Sequence, residues 1–339
     1  MTTRFNEPIT TWQKDDEVMG FVLVQKAEQR QDRNGRSYYD LVLADASGSI
    51  PAKIWSDSAA STGAYESGTF AKYHGVVKTY RDQLQLDIRQ FRLVNDGDRG
   101  QGFDEELLIP STPEDIDDLW RRLVRLFPGE IRHPLLRRLA EETIAVHGAA
   151  LRTHPAAKGM HHAYRGGLLE HTVSMAELAE KIAGHYPELD RDLLLVGTLF
   201  HDLGKLFELG AMPRNDYTLA GRLVGHVVIG RDLVRDRCAA IPDFPVELAL
   251  HLEHLVLSHQ GTREYGAAVE PMTAEALVLH FIDDLDSKIN QFRNLRRDNP
   301  AEVQYLKGLA RHVYLPARSG DPRSAVTAGP EPDAEPTLF

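Results

Sequence analysis

The chain has 339 residues, 42% hydrophobic and 26% charged, with a formal net charge of −11. That length holds two domains of roughly 100–200 residues each, and the balance of apolar and charged residues excludes global disorder. The acidic excess argues against indiscriminate binding of polyanions. No apolar run reaches the roughly 20 residues of a membrane span, and one cysteine, Cys238, excludes an intramolecular disulfide and a cysteine-built metal cage. Met1 to Lys14 lack the apolar core of a secretory signal, so a reducing, cytoplasmic location is expected.

Residues 1–95 read as short strands separated by turn signals. Val18–Val24 is rich in β-formers, Asp32-Arg33-Asn34-Gly35 turns, Tyr38–Ala44 comes next, and Asp45-Ala46-Ser47-Gly48 turns again before Ile50–Trp55. Phe70–Thr79 and Leu84–Val94 alternate around a bend at Arg81-Asp82-Gln83. Short strands at this spacing predict a small all-β barrel of five strands. Residues 96–111 begin with the glycine-rich Asp96–Gly102 and are expected to link the barrel to a second domain.

From residue 112 to 315 the pattern is helical throughout, with no convincing strand. Thr112-Pro113-Glu114-Asp115 reads as an N-cap with a first-turn proline. Helices are expected over Leu135–His147, Gly167–His185, Arg191–Leu203, Leu219–Arg237, Pro245–Ser258 and Ala274–Arg296. Residues 316–339, rich in Pro, Ala, Gly and acids, form an expected mobile tail.

Fifteen histidines are concentrated in the helical part. Leu193–Phe200 is an apolar helix that ends in His201-Asp202, with Leu203-Gly204-Lys205 directly after it. Imidazole nitrogen and carboxylate oxygen together suit borderline divalent ions. A His-Asp pair alone is weak evidence, because such pairs arise by chance. Its neighbours strengthen it: Gly166-Gly167-Leu168-Leu169-Glu170-His171-Thr172 lies upstream, and Gly225-His226, Ser258-His259-Gln260-Gly261 and His280-Phe281-Ile282-Asp283-Asp284-Leu285-Asp286 lie downstream.

The order His, His-Asp, Asp, each on a different helix, resembles the HD superfamily of metal phosphohydrolases. The longer segments from His161-His162 to His171-Thr172, Gly225–Gly230, Leu257-Ser258-His259 and Ile282–Asp286 resemble the YhaM-type 3′–5′ exoribonucleases, which place an OB-type barrel before the HD domain. Leu41–Trp55 is similar to the OB pattern. The expected fold is therefore an N-terminal OB-like barrel and a C-terminal all-α HD domain.

The resemblance implies a divalent metal held by His171, His201, Asp202 and Asp283, with His226, His254 and His259 as ligands for a second ion. Manganese is expected first, with Co²⁺, Fe²⁺, Zn²⁺ and Mg²⁺ as alternatives. Asp202, Lys205, His226 and His259 are the expected catalytic residues, and His161, His162 and Lys205 the substrate contacts in this domain. Asp286 shares a helix face with Asp283 and is expected to support a ligand or to be one. Where the family tends to carry two adjacent histidines, this chain has His259-Gln260.

On the barrel, Tyr38, Trp55, Lys53, Tyr80 and Arg81 combine aromatic platforms with basic groups, as single-strand binders do. One of Tyr38 and the adjacent Tyr39 must face inward. The implied activity is metal-dependent 3′–5′ exonuclease action on single-stranded RNA, with DNA as a further substrate. A nucleotidase or cyclic-nucleotide phosphodiesterase is the enzymatic alternative, and a nucleic-acid-binding module with an inactive HD site the non-enzymatic one. The oligomeric state is left open, a homo-oligomer included.

Overall fold

A computed structural model describes residues 3–32, 34–80, 83–158, 164–298 and 302–316. The first strands are β1 (Arg4–Phe5), β2 (Glu17–Gln31), β3 (Ser37–Ala44) and β4 (Ser49–Ile54), then β5 (Thr69–Tyr80) and β6 (Gln83–Leu93). The long β2 does two jobs. Residues 17–24 pair with β5, and residues 23–31 pair with β3 across an irregularity between Val24 and Lys26. A bulge of this kind bends a strand and sharpens its twist, and here it lets one strand belong to both sides of a ring. The sheet then runs β2-β3-β4-β6-β5 and closes back onto β2, with β4 and β6 parallel and the other ring pairings antiparallel. This is the closed five-strand, OB-like barrel that the strand pattern predicted. The two-residue β1, parallel to β2, was not anticipated.

Alternation decides which side chains fill the barrel. In β4, Ile50, Ala52 and Ile54 are buried while Lys53 between them points out. Both expected turns are tied by aspartates: the Asp32 carboxylate accepts from the amides of Asn34 and Arg36, and that of Asp45 from Ser47 and Gly48. The front of the segment 96–111 packs against the barrel, and its end, Pro110 and Ser111, pairs with Arg165 of the helical part. Phe103 and Leu108 bury against Phe21, and Asp98 takes two hydrogen bonds from Arg92 at 2.7 and 2.6 Å.

The helical part contains α1 (Ile116–Val124), α2 (Pro134–Leu151), α3 (Gly167–His185), α4 (Arg191–Phe200), α5 (Lys205–Glu208), α6 (Leu219–Leu223), α7 (His226–Ala240), α8 (Val246–Ser258) and α9 (Ala274–Asp298). Its core gathers Phe127, Leu136, Leu139, Leu169, Leu194, Leu195, Phe200 and Leu255 around α4, of which Asp192 to Phe200 are all buried. α1 is capped by Asp115 rather than Thr112. Thr112 donates instead to the buried Glu170 carboxylate.

Two expectations need correction. Leu219–Arg237 is not one helix: Gly225, at φ 81°, separates α6 from α7, and that positive φ is one a glycine adopts without strain. Nor is the region to Leu315 wholly helical. β7 (Val303–Leu306) and β8 (Arg311–Tyr314) form an antiparallel hairpin whose inward residues Leu306 and Val313, with Leu315, pack against Phe292 and Leu295 of α9. Among the described residues no helix is long and apolar enough to cross a membrane.

Candidate metal centre

The local sequence explains how five helices meet at one point. His171 lies in the second turn of α3, His201 closes α4, and Asp202 is the next residue. His226 opens α7, His259 closes α8, and Asp283 sits midway along α9. Gly204 makes the meeting of α4 and α7 feasible. A Cβ there would overlap the His226 carbonyl, so only a glycine lets the turn after Asp202 press against the start of α7.

The side chains form two adjoining groups, His171, His201 and Asp283 in one, Asp202, His226 and His259 in the other. In the first, His171 Nε2 is 3.2 Å from His201 Nε2 and 3.3 Å from Asp283 Oδ1. Asp202 reaches toward both. Its Oδ2 lies 3.4 Å from His201 Nε2 and 3.6 Å from His171 Nε2, while its Oδ1 lies 3.5 Å from His226 Nε2 and 3.8 Å from His259 Nε2.

Each imidazole is aimed from behind. His201 Nδ1 donates to the Thr198 carbonyl at 2.8 Å and His259 Nδ1 to the Val256 carbonyl at 2.7 Å. His171 Nδ1 donates to Asp286 at 2.8 Å, and His226 Nδ1 to Glu208 at 2.9 Å. A nitrogen bonded to a carbonyl or carboxylate must carry its hydrogen, so in a neutral ring the inward Nε2 presents a lone pair. Several lone pairs and two carboxylates converging in a buried space do not satisfy one another; they satisfy a cation. Two buried atoms at the centre, Asp202 Oδ1 and His226 Nε2, have no hydrogen-bond partner, which is costly unless something positive binds them. The donor set therefore fits a divalent ion, and the supported imidazoles match the way metal-ligating histidines are usually held.

The electrostatics favour positive charge at the centre, as a proton or as a cation. Burial works against charge on His171, yet its hydrogen bonds to Asp283 and Asp286 outweigh that and push it up to about 10. Burial also raises Asp202 and Asp283, but Lys205 and His201 beside Asp202, and the His171 hydrogen bond to Asp283, hold both below the usual carboxylate range. His259, buried with no carboxylate on its Nδ1, is lowered to about 4. Lys205 Nζ donates to Asp202 Oδ2 at 2.6 Å.

The centre opens into a cavity of about 730 Å³ lined by Lys205, Glu208, His226, His259, Asp283 and Asp284. Its wall also carries Lys158, Lys288 and Arg311 and the aromatic rings of Tyr217 and Tyr265.

Of the expected ligands, His171, His201, Asp202, Asp283, His226 and His259 come together. His254 does not: its Nε2 accepts the Met272 amide at 2.9 Å, away from the centre. Asp286 is a support for His171 and is also bonded by Ser174. Gln260 donates its amide to His259 Nε2 at 2.8 Å. His161, His162 and Arg81 lie outside the described residues. On the barrel, Tyr38 and Trp55 stack with ring centroids 5.6 Å apart, and Lys53 Nζ sits 4.8 Å from the Tyr38 centroid. Tyr39 is the inward member of its pair, donating to the Gly63 carbonyl. Tyr80 is exposed at the end of β5.

Sequence reasoning missed Glu208 and the basic side chains that join the acidic ones on the cavity wall. Glu208 lies three residues past Lys205, a position with no motif signal of its own. Lys158, Lys288 and Arg311 come from three distant segments.

Residues 168–288 match the family model of the HD domain. The helical region contains an HD domain. HD domains form a superfamily of metal-dependent hydrolases, and the matched segment spans every residue of both groups. Among solved structures, a domain of replication protein A from Methanococcus maripaludis is 17% identical with a TM-score of 0.24, covering 28% of this chain and 97% of its own. The OB domain of MM0293 from Methanosarcina mazei is 16% identical with a TM-score of 0.24, covering 28% of this chain and 88% of its own. The barrel assignment rests on the strand pairing itself.

Proposed function

We propose that this protein is a metal-dependent phosphodiesterase that shortens single-stranded RNA from its 3′ end, the barrel holding the strand while the HD site cuts. The observation that carries the hydrolytic reading is the division of Asp202, with one oxygen toward His171 and His201 and the other toward His226 and His259. His171, His201, Asp283 and Asp202 would hold one divalent ion, and Asp202, His226 and His259 a second. Such an ion acidifies a water and draws charge from phosphoryl oxygens.

The chain's own groups do the rest. The Nδ1 hydrogen bonds fix the four imidazoles before substrate arrives. Lys205 places an ammonium beside Asp202 on the cavity wall, where it can meet phosphate charge. Arg311 lines the same wall, as do Lys158 and Lys288, which are ion-paired with Asp216 and Asp284, and Tyr217 and Tyr265 offer faces for a base. An OB-like barrel with an exposed aromatic stack beside a lysine supports a polymer as substrate over a free nucleotide. The 3′–5′ direction and the release of 5′-mononucleotides are supported by the sequence resemblance.

A time course on 5′-labelled single-stranded RNA tests this, with Mn²⁺ or EDTA, using the wild type and Asp202→Ala. The expected result is a metal-dependent ladder shortening from the 3′ end that the substitution abolishes. Intact RNA beside rapid hydrolysis of mononucleotides or cyclic nucleotides would replace the polymer reading with a small-substrate one. Activity unchanged in the variant would remove the site from the reaction.

A further inference from the structure

The outward face of a surface helix is ordinarily polar. That of α9 is not. Leu277, Phe281, Leu285 and Ile289 recur every four residues and are each 43% to 59% exposed, while Ile282 and Asp286 on the other side are buried. An ordered apolar ridge left facing solvent marks an interaction surface. α8 extends it. Val246 and Leu250 are exposed one turn apart, and His254, a turn further on, accepts the amide of Met272, itself exposed just ahead of α9.

We propose that this face pairs with the same face of a second copy of the chain, the two α9 helices antiparallel about a twofold axis near residue 283. A twofold interface must be complementary to itself, and the spacing satisfies this. The axis sets Leu277 opposite Ile289 and Phe281 opposite Leu285, so every pairing is apolar on apolar. Charge is compatible with it: the axis sets exposed Arg293, which continues the ridge beyond Ile289, near Thr273, three residues after the exposed Glu270. An antiparallel arrangement brings the acidic end of one helix to the basic end of the other.

A ridge of residues spaced by four is inclined to the helix axis, and two such ridges pack at a crossing angle of about −50°. A single ridge is small against the ~800 Å² per partner of a standard interface, so the Val246, Leu250 and Met272 surface is part of the contact. The chain's own last segment is a poor occupant, because residues 317–339 offer only Val326, Leu338 and Phe339 as large apolar side chains. The ridge flanks His280 and Asp284 on the cavity wall, so pairing sets the two mouths side by side.

Sedimentation of the full chain at micromolar concentration tests the proposal, with Phe281→Lys and Leu285→Glu prepared separately. The wild type is expected at twice the chain mass and each variant at the chain mass. Mixing the two variants in equal amounts is expected to restore the doubled mass, since Lys at 281 then faces Glu at 285 across the axis. That recovery also requires both variants to be folded. A monomeric wild type, a variant that stays dimeric, or a mixture that stays monomeric would each overturn the proposal. So would a dimer that forms only after truncation at Pro316, because the tail would then be what covers the ridge.

Discussion

Glu208 and Asp286 never enter the group of converging ligands, yet each decides what a ligand can do. Glu208 accepts from both the ring and the backbone amide of His226, and that pairing holds its carboxyl below the usual range in spite of burial. Asp286 likewise accepts from the ring of His171. Removing a carboxylate that supports a metal-ligating histidine typically costs about 10–100-fold in metal affinity. Glu208→Ala is therefore expected to weaken one of two Mn²⁺-binding events by that factor and leave the other nearly unchanged, as read by titration calorimetry. Equal weakening of both would mean that the two groups act as a single site. The residues of the two converging groups were legible in sequence because imidazole and carboxylate fell in a recognisable order. Glu208 was not, since its role comes from the fold of α5 against α7 rather than from spacing. His254 shows the converse: a histidine near the motif was drawn in by composition, but its position along α8 turns it toward Met272.

At the scale of elements, the barrel face and the segment packed beside it make separate predictions. Tyr38 and Trp55 stack on the exposed side of β3 and at the end of β4, with Lys53 against both rings. Base stacking on an aromatic ring contributes about 1–3 kcal/mol, so Trp55→Ala is expected to weaken single-stranded RNA binding roughly 5–150-fold in fluorescence anisotropy. An unchanged affinity would move the strand to another face. Asp98 ties the segment after β6 to Arg92, and the Arg92 hydrogen bonds hold its carboxyl well below the ordinary 3.8. A depressed carboxylate stabilises the fold fully above its unfolded value and loses that contribution as pH falls through its folded one. Asp98→Asn should thus lower the urea midpoint at neutral pH, with the gap to wild type closing as pH drops below about 4. A gap that is constant with pH would place the effect in packing. The strands were readable from alternation and from the turns at Asp32 and Asp45. The hairpin of β7 and β8 was not, because strands of four residues ending a helical run carry too little period to stand out.

Across the whole molecule, the order of the segments foretold a β-barrel ahead of a helical domain, and the structure has that order. Convergence lay beyond the sequence. Lys158, Lys288 and Arg311 reach one cavity from a loop after α2, from α9 and from β8, and nothing local in any of these stretches signals the other two. The apolar ridge of α9 was hidden for a related reason. Its period fits a buried face equally well, and only the packing of Ile282, Asp286 and Asn290 inward reveals that Phe281 and Leu285 face out. The proposed hydrolytic chemistry would depend on Asp202 lying between the two groups of converging side chains. Equilibrium binding of Mn²⁺ to the full chain, wild type against Asp202→Ala, puts that dependence to the test. Two ions per chain in the wild type, with loss of tight binding of both in the variant, is the result expected from two groups that meet at this residue. No bound ion in the wild type, or undiminished binding in the variant, would contradict it.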